Sequence, residues 1–482
     1  MKFLRIASCL VLFVAGFSPA LAADRLSPSV RALVSADEPL KVAVDRGFAV
    51  RDGRVQVVVL ATQAGVEHVE RWLTDRGARF VFAYGDRIQA FVPPDLVAEL
   101  EGRADVLEVE RPLYARPPEP VPPAAAARPK LLAVTSEGVE PINVPAWHAE
   151  GFAGEGLKIG VIDVEFGGWD DLLGVELPPA GRTTYRAFGG SSAAADQVHG
   201  TACAEIVHDV APDADLFLAH IRTLGDFYAS LDWMASEGVD VVTMSVGWFG
   251  AGPGDGTGNS ADRVNAFVAA ADALFFTSAG NERRSHWQGA SADADADGWV
   301  DFEPGDNLNE LVSTMAADDR VAVSMVWSDW DSPSSDYSLH LFRLDGTEWV
   351  EVAVSDRPQT GLSHQTPYEQ ISHTTPDGGL FAVRIGRDQV VGTHDLELFS
   401  ADSDLVNRVA SGSLTIPADA ERVMAVAAVN YNSPYTVRSF SSAGPTNGPG
   451  GTIEGGTTKP DLSGFDGVST VSYGTRNFFG TS

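Results

Sequence analysis

The sequence predicts an α/β protein: a parallel sheet with helices on both faces, preceded by a ferredoxin-like α+β unit and interrupted by an antiparallel β-sandwich. Apolar strand patterns and helix patterns alternate along residues 157–278, which is typical of a parallel sheet covered on both faces. Along residues 305–411, short strands are separated by turns rich in Asp, Gly, Ser and Pro, which is typical of a sandwich. Strand-rich α/β character returns after residue 413, so we interpret the sandwich as an insertion.

Composition and periodicity divide the chain into six segments. They are a signal peptide, a first α+β unit, a linker rich in Pro and Ala, the first part of the main domain, the inserted sandwich, and the second part of the main domain. In chain order, their boundaries are 1–22, 23–115, 116–135, 136–302, 303–412 and 413–482. Within the first unit, residues 54–112 show the order βαββαβ of a ferredoxin-like sheet. Residues 24–53 are polar and show no pattern.

The first residues have the features of a secretory signal peptide. Lys2 and Arg5 give a basic start, residues 6–17 are apolar, and Ala20-Leu21-Ala22 is a small-residue cleavage site. The apolar run is shorter than the roughly 20 residues that span a bilayer. We therefore expect a secreted, periplasmic or cell-surface protein, with an uncleaved membrane anchor as the alternative. No later run is apolar enough to span a membrane.

The formal net charge of −32 excludes nucleic acid and anionic membranes as natural partners, because such a surface repels them. It suits a protein that binds Ca²⁺, although solubility alone would also explain it. Of the two cysteines, Cys9 lies in the signal peptide, so the mature chain keeps only Cys203 and forms no internal disulfide. We expect a monomer.

Four polar residues follow strand or helix patterns and together suit acyl transfer: Asp163, His199, Asn281 and Ser482. Each has an ordinary alternative, respectively a turn cap, a first helical residue, a turn residue and a polar loop. In combination, the serine would be a nucleophile and the histidine its base. The aspartate would orient the imidazole, and the asparagine amide would donate to an oxyanion.

Two stretches beside these residues have a strand-like backbone that could pair with an extended peptide. Strand addition of this kind is a common way to bind a polypeptide substrate. The predicted substrate-binding residues are Ser245, Val246, Gly247, Ser278, Ala279 and Gly280.

An acidic loop predicts a structural Ca²⁺ site. Asp293, Asp295, Asp297 and Asp301 alternate around a glycine at the sixth place, and such a loop can direct several oxygens at one cation. The Glu expected at the twelfth place is replaced by Pro304. The alternative is a solvated acidic loop without a metal.

The chain resembles the subtilisin-like (subtilase, peptidase S8) serine proteases. The resemblance rests on Val161-Ile162-Asp163, His199-Gly200-Thr201, Val241 to Gly247, Thr277 to Asn281, Ser439 to Pro445, Lys459 to Leu462 and Gly480-Thr481-Ser482. It implies a secreted endopeptidase with a seven-stranded parallel sheet, the triad Asp163, His199 and Ser482, and Asn281 as oxyanion donor. By its position and its βαββαβ order, the first unit looks like the pro-domain that inhibits these enzymes intramolecularly, as in a zymogen, with a small independent binding domain as the alternative.

The sequence departs from the family in two places that bear on activity. Glu165 adds a carboxylate near the Asp–His pair, and we expect it to raise the histidine pKa. The family continues past its serine into a buried helix, whereas this sequence stops at Ser482. We therefore expect a fragment of a longer reading frame, with little or no activity for residues 1–482. The alternatives are a catalytically inactive, Ca²⁺-dependent binding protein on the same scaffold, and an esterase or peptide ligase.

Overall fold

The computed structural model describes residues 25–116, 133–191 and 197–482. The predicted signal peptide and most of the predicted linker, residues 117–132, lie outside these ranges. Among the residues described, no helix has both the length and the apolar character needed to cross a bilayer.

The first unit is an antiparallel sheet with four helices. In chain order its elements are α1 (Pro28–Val34), α2 (Pro39–Asp45), β1 (Val50–Arg51), β2 (Arg54–Ala61), α3 (Val66–Asp75), β3 (Arg79–Tyr84), β4 (Arg87–Val92), α4 (Pro94–Leu100) and β5 (Val106–Glu110). From β2 onward the order is βαββαβ, and β2 lies between β4 and β5. Helices α1 and α2 were not predicted, because seven residues hold too few turns to show a periodicity. They nevertheless bury Val30, Leu33 and Ala43 in the core of the unit.

The main domain then begins, with strands and helices in alternation. Its first elements are α5 (Val144–Ala149), β6 (Lys158–Asp163), β7 (Thr183–Ala187), α6 (His199–Val210), β8 (Asp215–His220), α7 (Leu224–Glu237), β9 (Val241–Met244), α8 (Asn259–Ala271) and β10 (Leu274–Ser278). Ile162 packs in a cluster with α7 and α8, whereas its neighbour Val161 packs in a cluster with α6. Successive side chains of β6 thus meet helices on opposite faces of the sheet.

An antiparallel region follows. Its strands are β11 (His286–Ala290), β12 (Asn309–Glu310), β13 (Arg320–Trp327), β14 (Asp336–Asp345), β15 (Glu348–Ser355), β16 (Tyr368–Thr374), β17 (Phe381–Gln389) and β18 (Asp395–Ser400). They form two four-stranded sheets, in the orders β11-β18-β13-β16 and β12-β17-β14-β15. Buried side chains from both sheets, including Trp327, Tyr337 and Phe381, form one cluster.

The antiparallel region begins earlier than the sequence indicates. Strand β11 pairs with β18, so residue 303, the predicted boundary, lies inside the region rather than at its start. The sequence His-Trp-Gln-Gly-Ala of β11 lacks the β-branched residues that mark a strand, which is why the boundary was placed too late. The acidic loop 293–301 therefore belongs to this region and not to the main domain.

The chain then returns to the main sheet. The remaining strands are β19 (Met424–Asn430), β20 (Leu462–Asp466), β21 (Val468–Thr470) and β22 (Gly474–Phe478). The main sheet has seven strands in the order β20-β19-β10-β9-β6-β8-β7, and all neighbours are parallel. This confirms the predicted α/β class and its parallel sheet. Because the carboxyl ends of parallel strands meet at one edge, the residues that follow β6, β9 and β10 lie close together.

Candidate active site

Asp163 is the last residue of β6, and its carboxylate is fully buried. Its Oδ1 accepts the backbone N–H groups of Val164, at 2.7 Å, and Glu165, at 3.3 Å. Its Oδ2 accepts Nδ1–H of His199 at 2.9 Å. The same carboxylate therefore caps the turn after the strand and orients the imidazole.

His199 is the first residue of α6, and the glycine after it lets the helix approach β6. A Cβ on Gly200 would lie 2.5 Å from the Cβ of Asp163, closer than real side chains come. The Gly200 N–H donates to the carbonyl of Glu165 at 2.7 Å, which fixes the start of the helix against the turn. The His-Gly pair thus places the imidazole next to the carboxylate.

Ser482 lies after the hairpin of β21 and β22, and its Oγ is 3.0 Å from Nε2 of His199. The histidine ring packs against Phe478, with ring centroids 5.4 Å apart and an angle of 61° between the ring planes. Together with the Asp163 contact, this completes a line of hydrogen-bonding groups from carboxylate to imidazole to hydroxyl. The structure brings together the three residues that the sequence predicted as a triad.

Two buried acids that sequence reasoning missed hold Ser482 in this position. Asp466, at the end of β20, accepts the N–H of Gly480 at 2.6 Å and forms an ion pair with Arg438 at 2.6 Å. Glu205, on α6, accepts the N–H groups of Val471, at 2.5 Å, and Ser472, at 3.1 Å. Asp466 could have been found by the rule that found Asp163, an acid at the carboxyl end of a strand.

Glu205 connects the helix that begins at His199 to the hairpin that leads to Ser482. Its side chain is almost fully buried. Burial raises the pKa of the Glu205 carboxyl to about 7. Hydrogen bonds from Ser472 and Val471 favour the charged form and so oppose this rise, but burial has the larger effect. The relative position of imidazole and hydroxyl therefore depends on a carboxyl group that titrates near neutral pH.

Asn281 lies beside the serine. Its Oδ1 accepts the N–H of Thr481 at 3.1 Å, and the N–H of Gly280 donates to Oγ1 of Thr481 at 3.2 Å. Because the amide oxygen is used in this way, the amide presents its NH₂ group as a donor. This is the orientation that an oxyanion donor needs.

Of the two predicted peptide-binding stretches, the one at Gly247 has its backbone paired with an extended segment. Gly247 exchanges two backbone hydrogen bonds with Arg116, each 3.2 Å long, as in an antiparallel ladder. The N–H of Ala115 donates to the carbonyl of Arg222 at 2.7 Å, and the N–H of Leu224 donates to the carbonyl of Leu113 at 3.0 Å. Residues 113–116 therefore lie as a strand in a groove of the main domain.

The backbone of the other stretch is already used within the domain. The N–H of Ala279 donates to Val426 at 2.9 Å, its carbonyl accepts from Thr415 at 3.1 Å, and the carbonyl of Gly280 accepts from Ser442 at 2.9 Å. The expected peptide-pairing backbone is therefore not offered by Ala279 and Gly280, because neighbouring loops take it. Ser245 and Ser278 share a cavity of ≈ 300 Å³ with Cys203 and Ser482, whereas Val246 is fully buried.

Cys203 lies on the same face of α6 as His199, with its Sγ 4.0 Å from Oδ2 of Asp163. Burial, followed by the Asp163 charge, raises the pKa of the thiol well above its ordinary value. The thiol therefore stays protonated at neutral pH and packs as a small apolar group.

The acidic loop brings together three of its four predicted ligands. Asp293, Asp295 and Asp297 each offer a carboxylate oxygen, and these oxygens lie within 4.8 Å of one another. The carboxylate of Asp293 also accepts the N–H groups of Asp297 and Gly298, each at 3.1 Å, so the loop wraps around it. Asp301 is not in this group: its Oδ2 accepts the N–H of Ala294 at 2.8 Å and closes the loop.

A protein-family model matches part of the chain. Residues 154–370 match the model of the subtilase family, peptidase S8, a range that includes Asp163, His199 and Asn281. No curated protein matches the chain. Among solved structures, the CspB protease of Clostridium perfringens is similar at 14% identity and a TM-score of 0.47, over 68% of this chain and 80% of that chain.

Two other structures are similar at lower scores. Fervidolysin from Fervidobacterium pennivorans, a keratinolytic enzyme, has 16% identity and a TM-score of 0.30, over 49% of this chain and 41% of that chain. The epidermin leader peptide processing serine protease of Staphylococcus aureus has 10% identity and a TM-score of 0.36, over 86% of this chain and 75% of that chain. Because these scores are low, the similarity to subtilases rests on the match of residues 154–370 to the family model, a range that ends before Ser482.

Proposed function

We propose that the protein is a secreted serine endopeptidase in which Asp163, His199 and Ser482 form the catalytic triad. The observation that carries the proposal is the line of hydrogen bonds from Asp163 to Nδ1 of His199, at 2.9 Å, and from Nε2 of His199 to Oγ of Ser482, at 3.0 Å. A serine hydroxyl becomes a competent nucleophile when a base within this distance accepts its proton.

The roles of the residues follow from this geometry. His199 accepts the proton of Ser482 as the hydroxyl attacks the peptide carbonyl, and then gives it to the leaving amine. Asp163 keeps the proton of the neutral imidazole on Nδ1 and stabilises the charged imidazolium. The NH₂ group of Asn281 donates to the oxyanion that forms on the carbonyl. The hydrogen bond from Thr481 supports this role, because it turns the amide oxygen away from the substrate.

The first unit acts, in this proposal, as an inhibitory pro-domain. Support comes from residues 113–116, which pair with Gly247 and with Arg222 to Leu224 in the groove where an extended substrate would pair. Substrate and this segment would compete for the same backbone groups. Cleavage in the linker 116–135, followed by departure of the unit, would open the groove. We also propose that the signal peptide is removed after Ala22 and that the mature enzyme is an exported monomer.

We further propose a structural Ca²⁺ ion in the loop 293–301. The converging carboxylate oxygens of Asp293, Asp295 and Asp297 are the donors that this ion prefers. Bound there, Ca²⁺ would offset the repulsion among the three carboxylates and stabilise the loop. Asp301 would act indirectly, through its hydrogen bond to Ala294. None of the hydrogen bonds described for the loop aspartates reaches a triad residue. We therefore assign the ion no catalytic role.

A fluorophosphonate probe tests the proposal directly, because it reacts with serines that a neighbouring base activates. We expect the protein produced from its complete gene to be labelled at Ser482, and the Ser482→Ala variant to remain unlabelled. Casein digestion should follow the labelling, and peptide products should show hydrolysis rather than ligation. Absence of label on correctly folded protein would instead favour the binding protein without catalytic activity.

A further inference from the structure

We infer that the antiparallel region provides a second docking surface for the N-terminal unit, with Arg357 as its anchor. Arg357 lies in the segment after β15 and reaches two acids on β5 of the N-terminal unit. Its Nη2 is 2.5 Å from Oε2 of Glu108, and its Nη1 is 3.3 Å from Oε2 of Glu110. The side chains of Arg357 and Glu108 are only 14% and 10% exposed. The contact therefore has the character of an interface core rather than a surface ion pair.

The segment that presents Arg357 is itself held in place. The N–H of Arg357 donates to Oε1 of Glu369 at 3.0 Å, and Nε2 of Gln359 donates to the same oxygen at 3.4 Å. The hydroxyl of Ser355 donates to the other oxygen of Glu369. Since the buried Glu369 fixes both sides of the arginine, little conformational freedom is lost when the guanidinium meets its partners.

The antiparallel region touches the N-terminal unit at a second point. Gly47 lies directly against the guanidinium of Arg320, so that any side chain at position 47 would collide with it. The carbonyl of Gly47 also accepts a hydrogen bond from Nη1 of Arg111 at 3.3 Å. Nε of Arg320 donates to Oγ of Ser372 at 2.5 Å, which holds the arginine on the sheet. This contact and the Arg357 contact involve different strands of the region.

The main domain supports the N-terminal unit from another direction. Nε2 of Gln89 donates to Oδ1 of Asp226 at 2.9 Å, and Oγ1 of Thr223 donates to Oε1 of Gln89 at 2.6 Å. The rings of Tyr84 and Tyr228 meet edge to face at 5.4 Å. Two supports joined by one chain act as a bivalent site, in which each contact slows dissociation from the other. Loss of Arg357 should therefore accelerate release even with the main-domain contacts intact.

The test uses the whole chain with Ser482→Ala, so that the protein does not cleave itself. A recognition site for an unrelated, sequence-specific protease is placed in the linker 117–132. After cutting, the rate at which the N-terminal fragment leaves the immobilised remainder is measured. We expect Arg357→Gln to release it roughly 30-fold faster, the usual lower limit for losing one partner of a buried charge pair.

Matched variants make the result decisive. Arg343→Gln is the control, because Arg343 pairs within the antiparallel region with Asp377, at 3.4 Å, and should leave the rate unchanged. Glu108→Gln removes the same contact from the opposite side and should accelerate release even if Arg357→Gln fails to fold. Wild-type release rates for both Arg357→Gln and Glu108→Gln would overturn the inference.

The idea that this docking regulates an enzyme rests on the proposed function, but the docking itself does not. Release that depends on Arg357, in a protein that no fluorophosphonate labels, would retain the docking surface and refute the protease. Labelling at Ser482, with release rates independent of Arg357 and Glu108, would refute the docking surface alone.

Discussion

The triad and the acidic loop are both built around aspartates, but in opposite ways. Asp163 is fully buried, and its partners come from far along the chain: His199 is 36 residues away, and Ser482 lies a further 283 residues on. The loop carboxylates of Asp293, Asp295 and Asp297 are mostly exposed and come from one short stretch. The triad is therefore assembled by the fold and the loop by local sequence, so we expect the two sites to respond differently to substitution.

Removing the base of the triad should have the largest effect. We expect His199→Ala to lower kcat by about 10⁶-fold, because no other group accepts the proton of Ser482. Casein or peptide hydrolysis by the protein from its complete gene measures this loss. His148→Ala, a partly exposed histidine on α5 of the main domain, serves as the control and should keep wild-type activity. A loss of less than a hundredfold in His199→Ala would mean that the Asp163–His199–Ser482 line is not the catalytic unit.

Removing the oxyanion donor should lower kcat less than removing the base, but more than removing an acid that holds Ser482 in position. Asn281→Leu keeps the volume and removes the amide, so we expect kcat to fall by about 10²–10³ while KM changes little. Labelling of Ser482 by a fluorophosphonate should also slow. If kcat stays within threefold of wild type, the Thr481 hydrogen bond to Asn281 is only structural, and the oxyanion is stabilised elsewhere.

The sequence predicts some parts of the fold and of the candidate active site, and other parts only the folded structure reveals. Central strands such as β6 and β10 are buried on both faces, so their apolar runs predicted them. Strands β7, β11 and β20 each lie at a sheet edge, where composition is less apolar and the strand signal is weaker. The triad residues were predicted because they stand in motifs. Glu205 and Asp466 were not, because their roles depend on partners that only the folded hairpin brings near.

Glu205, the buried acid that connects α6 to the hairpin before Ser482, should make the free energy of unfolding depend on pH. The folded-state pKa of Glu205 is about 7, above its ordinary value of 4.5. The folded protein therefore binds this proton more tightly, and stability should fall as pH rises from about 4.5 to about 7, by about 3 kcal/mol in total. Glu205→Gln does not titrate, so its destabilisation relative to wild type should be larger at pH 5 than at pH 8.

Urea unfolding of both proteins at pH 5 and pH 8, followed by a probe in the main domain, measures this difference. Glu150→Gln, at an exposed position in the same domain, is the control and should show no such pH dependence. Equal destabilisation by Glu205→Gln at both pH values would show that the Glu205 carboxyl does not titrate in this range. Activity measured in parallel would show whether the hairpin moves Ser482 when Glu205 ionises.

Removing a metal from the acidic loop should have the smallest effect, and none on catalysis. With Ca²⁺ at about 100 times its Kd, binding stabilises the folded state by about 2.7 kcal/mol, so a chelator should lower the melting temperature of the antiparallel region by several degrees. Asp295→Ala should lose most of this response, because it removes one converging oxygen and leaves the hydrogen bonds of Asp293 and Asp301 in place. Asp377→Ala, an exposed acid of the same region, should keep the response. If wild-type protein gives no heat on Ca²⁺ titration and melts at the same temperature with chelator, the loop is a solvated acidic turn. Its carboxylates would then converge only because Asp293 organises the backbone around itself.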